Sequence, residues 1–395
     1  MKKILGFSVL LLAGLAGSQL LSLMGPELEH ATREGVRVLT MVFLGFIMIH
    51  VGYEFEIDKS RLKSYAVDNG VALTAAAFPW IFCTLYFLAF MMPEGALASF
   101  GAWKEALMAG LFAAPTSAGV LFSMLAAAGL SATWMFRKAR VLAIFDDLNT
   151  VLLLIPLKMM VVGLRWQLWA VVLVMALLLW VSYRYLRRLR APARWRWVLG
   201  YSAAIVLVSE VVYFASRIVD EVVPIHIEVL LPAFVLGTLL VRPSDPHVDD
   251  SREGHQEGPE SPQEQRVSTI VSAVFMVLVG LSMPRLELRG GEVSTSLLLM
   301  HTLVITVLAN LGKMFPLLSY RDVHLKERLA LCIGMWPRGE VGAGILVLAL
   351  RFDIGKPIVA VAALSLALNL LCTGLFIVWV RRILREVPRG TSRPI

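Results

Sequence analysis

The chain has 395 residues, 58% of them hydrophobic and only 17% charged, with a mean hydropathy of +0.73. Soluble domains carry about 25% charged residues, so a soluble domain of any size is excluded. The net charge of +8 does not require a nucleic-acid partner, because basic residues gather in the cytoplasmic loops of membrane proteins.

Apolar runs of about twenty residues recur along the whole length, and about twenty helical residues cross a ~30 Å hydrocarbon core. The pattern predicts an all-α polytopic membrane protein of about twelve transmembrane helices. The spans are 4–24, 36–55, 66–92, 104–129, 139–163, 166–184, 197–217, 225–242, 267–284, 297–318, 327–350 and 357–380. Lys2 and Lys3 precede the first span, which is longer than the ~7–15-residue core of a signal peptide. Basic residues then fall on alternate loops: Lys59, Arg61 and Lys63; Arg137, Lys138 and Arg140; six arginines from Arg184 to Arg196; Arg321, Lys326 and Arg328; and the C-terminal arginines. The intervening loops are short or hold acids such as Glu27, Glu29, Asp220 and Glu221. This alternation places both termini in the cytoplasm, with the chain in the inner (plasma) membrane.

One loop departs from the alternation. PSDPHVDDSREGHQEGPESPQEQ (243–265) holds seven acids and one Arg, and such a segment cannot bury a core and is expected to be disordered. It reads as a tolerated linker, or as a regulatory element sensing pH through His247 and His255. The expected organisation is therefore 1–242 with eight helices and a first core repeat at about 66–163, a linker at 243–266, 267–384 with four helices and a second repeat at about 297–380, and a basic tail at 385–395. Cys83, Cys332 and Cys372 all sit in apolar runs and give no disulfide or metal spacing.

Charges inside spans cost ~2.5–3.5 kcal/mol each on the lenient insertion scale and normally face a cavity or a partner. Asp146, Asp147, Lys313, Arg338 and Glu340 are the informative ones. His50 and Glu54 lie near one end of the second span, Glu210 and Glu228 read as well as structural groups, and Lys158 lies near enough to an end to snorkel. With a rise of ~1.5 Å per residue, Asp147 lies roughly 12 Å into its span and Lys313 roughly 8 Å from the cytoplasmic end of another, which makes an ion pair at one depth a reasonable expectation. Neighbouring helical residues point about 100° apart, so Asp146 and Asp147 cannot do the same job. Two carboxylates this close stay ionised only beside a cation, and a proton or a small hard cation such as Na⁺ or Li⁺ competes for them.

Two spans are interrupted at mid-depth. One reads LFAAPTSAGVLF, with Pro115, Thr116, Ser117 and Gly119, and the other IGMWPRGEVGAGIL, with Pro337, Gly339, Gly342 and Gly344. Pro and Gly at corresponding places of two halves point to broken helices whose ends address ions, within inverted repeats.

Taken together, Asp146-Asp147, Gly312-Lys313, Pro337-Arg338-Gly339-Glu340-Val341 and FLGFIMIHVGYEFEID (43–58, with Gly52 and Glu54) resemble the sodium/proton antiporters of the cation–proton antiporter superfamily, across about 36–380. One span precedes the Gly52–Glu54 helix, where many members have two or more. The resemblance implies two inverted repeats with crossed broken helices, exchange of Na⁺ or Li⁺ for H⁺ by alternating access, and a homodimer. It implies that Asp147 binds cation and proton and that Asp146 pairs with Lys313, the arrangement of the electrogenic, two-aspartate type. It also implies that Arg338 and Glu340 stabilise the crossover, and that Thr116, with Ser117, offers a carbonyl or hydroxyl to the ion. No cofactor is expected, and the metal is cargo held by Asp147 and Asp146. Open alternatives are a K⁺/H⁺ antiporter of the same superfamily, a sodium-coupled symporter of the bile-acid type, an intramembrane aspartyl protease, whose two acids come from different helices, and a purely structural membrane protein.

Overall fold

A computed structural model describes residues 2–21, 25–54, 62–93, 95–163, 166–186, 188–219, 229–241, 262–282, 295–351, 354 and 356–387. Glu228, His247, His255, most of the acidic segment and the end of the basic tail lie outside the described residues, as do the side chains of Glu54 and Glu340. Among the described residues every regular element is helical, apart from one isolated backbone bridge between Leu189 and Leu240.

Fourteen α-helices follow in order: α1 (Lys2–Leu20), α2 (Pro26–Glu54), α3 (Leu62–Phe90), α4 (Phe100–Gly110), α5 (Ala118–Ala127), α6 (Trp134–Val162), α7 (Trp166–Arg184), α8 (Trp195–Val219), α9 (Leu230–Leu239), α10 (Pro262–Leu281), α11 (Thr295–Gly312), α12 (Leu325–Gly334), α13 (Glu340–Arg351) and α14 (Lys356–Arg385). By length and composition, six stretches among the described residues can cross a membrane: Glu27–Tyr53, Lys63–Phe90, Phe100–Ala127, Trp195–Ile218, Ser296–Leu318 and Pro357–Arg385. Shorter apolar helices cover Leu5–Leu20, Trp169–Arg184, Leu230–Leu239 and Arg266–Leu281. The remaining elements are α6 and the α12–α13 pair, and these carry Asp146, Asp147 and Arg338. The twelve expected spans thus map onto helices, two of them divided at mid-length. The order helix, broken pair, helix occurs twice: α3, α4–α5, α6 and again α11, α12–α13, α14.

Backbone contacts divide the chain into two compact units. The first comprises Met1–Arg33, Arg61–Val161 and Met276–Ile395, and so contains nearly all of both repeats. Here α3 lies against α11. A Cβ on Gly312 would sit 2.7 Å from Pro79 Cδ, so the two backbones approach at a distance that only glycine permits. Such close approach is how membrane helices gain packing energy when lipid is as apolar as their side chains. Phe78 and Phe315 stack beside this contact, with ring centroids 3.4 Å apart.

The second unit comprises Glu34–Ser60 and Val162–Phe275. α2 meets α9 where Gly52 faces the backbone of Phe234 and Gly237. Ser202 Oγ of α8 donates to the Val42 carbonyl at 2.6 Å, and Arg37 donates to both oxygens of Glu210 at 2.7 and 3.0 Å. Glu210 is therefore an ion-pair partner between α2 and α8, in keeping with its structural reading.

Candidate functional site

The site lies within the first unit and is built on the two broken helices. α4 ends at Gly110, continues as a single 3₁₀ turn over Leu111–Ala113, and passes through residues 114–117 before α5 begins. Pro115 explains the interruption: it has no N–H to continue the helical ladder, and its ring crowds the preceding turn. α12 ends at Gly334 and α13 begins at Glu340, with Pro337 between them. Every such end leaves backbone groups without helical partners.

Some of those groups satisfy one another. The Ser117 N–H donates to the Pro337 carbonyl at 2.9 Å. Thr116 Oγ1 donates to the Met335 carbonyl at 3.1 Å. The two breaks therefore cross in contact, through atoms of the two segments expected to be interrupted.

The remaining ends are met by buried charges. Asp146 is 0% exposed, and its Oδ2 accepts from the Thr116 N–H at 2.9 Å and from Lys313 Nζ at 2.6 Å. Lys313, also 0% exposed, donates to the Ala114 carbonyl at 2.6 Å as well. The acid thus takes an N–H just before α5 begins, and the base takes a carbonyl just past the end of the α4 turn. Both choices agree with the partial charges at helix ends. Asp146 Oδ1 is buried with no hydrogen-bond partner among the described residues. Thr150 Oγ1 donates to the Asp146 carbonyl at 2.8 Å, one turn along α6.

Asp147 is also buried, at 7% exposure. It follows Asp146 on a continuous helix and so projects about 100° away from it. Asn149, two residues on, reaches α3, with its Nδ2 3.3 Å from Asn69 Oδ1 and 3.4 Å from the Asn69 carbonyl.

Arg338, 1% exposed, is engaged by backbone and amide oxygens. It donates to Ala113 O at 3.1 Å, Ala309 O at 2.8 Å, Trp336 O at 3.3 Å and Asn310 Oδ1 at 2.7 Å. Asn369 of α14 sits 2.9 Å from the same Asn310 oxygen. Arg338 thus serves the carbonyls at the first break and near the end of α11, while Lys313 takes the acid. Exchanging it for Met is expected to leave Ala113 and Ala309 unsatisfied, at about 1–3 kcal/mol for each buried group. A lower melting temperature of the purified protein in detergent checks this. Lys at 338 is expected to recover only part of the loss, because it lacks the planar fork.

His50 rests in α2 with Nδ1 3.0 Å from the Phe46 carbonyl, and Lys158 is half-buried in α6. Glu340 opens α13. Asn310 and Asn369 were not singled out from sequence, although an amide inside an apolar run is the same kind of signal as a charge there.

The sequence matches the family described as sodium/hydrogen exchanger, transmembrane, over residues 2–383. No curated protein shows significant similarity to it. The solved structure of the sodium proton antiporter MjNhaP1 from Methanocaldococcus jannaschii is similar to this chain, with a TM-score of 0.55 at 11% identity, covering 96% of this chain and 92% of that one. At that identity the likeness is one of fold.

Proposed function

Because the chain belongs to the sodium/hydrogen exchanger family, we propose that it is a secondary antiporter exchanging Na⁺, or Li⁺, for H⁺ by alternating access, and that the exchange is electrogenic. The observation that carries this is a buried Asp147 immediately beside the buried Asp146–Lys313 pair. Asp147 sets a second buried carboxylate beside that pair, and a proton or a small cation can compete for such a group. Hard carboxylate oxygens suit Na⁺ and Li⁺.

In this mechanism ionised Asp147 takes the cation from the cytoplasm, the core moves, the cation leaves outside, and a proton returns on the same carboxylate. Asp146 contributes a second titrating group. When it takes a proton, its bond to Lys313 weakens, and when it loses the proton the pair re-forms. Two titrating groups working on one cation give net charge movement. Thr116 and Ser117 place backbone and hydroxyl oxygens at the crossover within the same unit. We assign the protein to the inner membrane as a homodimer with both termini in the cytoplasm. The segments 243–266 and 385–395 are a linker and a tail in this scheme, and no resident cofactor takes part.

The test is a fluorescence-dequenching series in proteoliposomes with a preset pH gradient. Na⁺ and Li⁺ are expected to release the gradient, K⁺ is not, and an imposed membrane potential is expected to change the rate. Release by K⁺ alone would turn the assignment to a K⁺/H⁺ antiporter. No release by any cation would end the exchange reading.

A further inference from the structure

A third buried aspartate lies in the same unit. Asp68 of α3 is 2% exposed, and its two oxygens accept three hydrogen bonds. Lys138 Nζ donates to Oδ1 at 3.0 Å and to Oδ2 at 2.9 Å, and the Tyr320 hydroxyl donates to Oδ1 at 2.6 Å. The same ammonium stands 4.9 Å from the centre of the Tyr320 ring, and Trp134 meets that ring edge-on at 5.8 Å. Tyr320 has φ 49°, the one positive value outside glycine among the described residues. A tyrosine holds that left-handed conformation only where its surroundings fix it. Here the fixing contacts are the phenol on Asp68 and the ring between Lys138 and Trp134.

The positions of the partners give this cluster its meaning. Lys138 lies about two turns before Asp146 on α6. Tyr320 follows Lys313 on the connection from α11 to α12. Asp146 and Lys313 are themselves in contact. The two segments that meet through that pair are therefore tied a second time, through one carboxylate on a third helix. The residue after Asp68, Asn69, touches Asn149, two residues beyond Asp147. α3 thus grips α6 on both sides of the aspartate pair.

We propose that Asp68, held by Lys138 and Tyr320, is a positioning residue that fixes where Asp146 and Lys313 meet and so sets the apparent affinity for the transported cation without touching it. The inference rests on the exchange reading. Burial, and then the bond to Asp68, holds the Tyr320 phenol above its usual pKa, so it remains a donor throughout the working range.

The test compares purified wild type, Tyr320→Phe, Lys138→Met and Lys138→Arg. Tyr320→Phe removes one oxygen and keeps the ring and the backbone. Two quantities are measured on each: the Na⁺ concentration at half-maximal thermal stabilisation in detergent, and the KM and maximal rate of Na⁺-dependent proton flux in proteoliposomes. Tyr320→Phe and Lys138→Met are expected to raise the Na⁺ midpoint and KM roughly tenfold or more, as loss of a hydrogen bond to a charged group does, with a maximal rate within about twofold of wild type. Lys138→Arg, which keeps the donor, is expected to stay near wild type. Unchanged midpoints in both disruptive variants, or a Lys138→Arg as impaired as Lys138→Met, would overturn the proposal even if their melting temperatures fall. Absence of cation-dependent flux in wild type would instead overturn the exchange reading, and the detergent midpoints would still decide whether Asp68 positions the site.

Discussion

An Asp147→Asn protein is expected to fold, reach the membrane and carry no cation-dependent proton flux. The substitution is nearly isosteric and removes a negative charge from a residue that is 7% exposed. It therefore changes charge with little change of shape, and melting in detergent should stay close to wild type. What it takes away is the ability to hold either H⁺ or Na⁺ in exchange for the other. The loss in everted vesicles should approach the background of membranes without the protein. Exchange at a normal rate with Asn at 147 would remove this residue from the carrier role and leave Asp146 as the next candidate.

Lys313→Ala is expected to act through stability and charge movement together. Lys313 Nζ holds Asp146 Oδ2 and the Ala114 carbonyl, both at 2.6 Å. Its removal leaves a fully buried acid with only the Thr116 N–H on that oxygen. Removing one partner of a buried ion pair costs about 3–5 kcal/mol, chiefly through the charge left behind. The double variant Lys313→Ala, Asp146→Asn should therefore melt well above Lys313→Ala alone, and the difference measures the coupling of the pair. In proteoliposomes, whatever exchange survives in Lys313→Ala should respond less to an imposed potential. Melting and charge movement both at wild-type values would sink the pairing as the source of electrogenicity.

How much of this was legible in the sequence differs residue by residue. The two interruptions were, because Pro115 and Pro337 act on the backbone directly and sit in otherwise continuous apolar runs. The depth match of Asp146 and Lys313 was, because helical rise converts residue number into distance. The partners of Arg338 were not. Ala113, Ala309 and Trp336 offer carbonyls, and a carbonyl leaves no mark on the sequence. Lys138 differs for another reason. Charge alternation counts it with a loop, and the structure adds that it lies in α6, which begins at Trp134, and reaches a buried acid from there. Loop charge and buried charge look alike until the partner is found, and Asp68 lies seventy residues away. Arg140 shows the same effect, at 9% exposure inside α6.

The carbonyl of Ala114 bears on how the ammonium of Lys313 survives a change of charge state nearby. A carboxylate partner can vanish as a counter-charge when it takes a proton. A carbonyl at the end of a helical turn is a permanent dipole and cannot. Lys313 divides its donors between one of each, both at 2.6 Å. The ammonium is then not stranded: if Asp146 takes a proton, the contact with the Ala114 carbonyl remains in place.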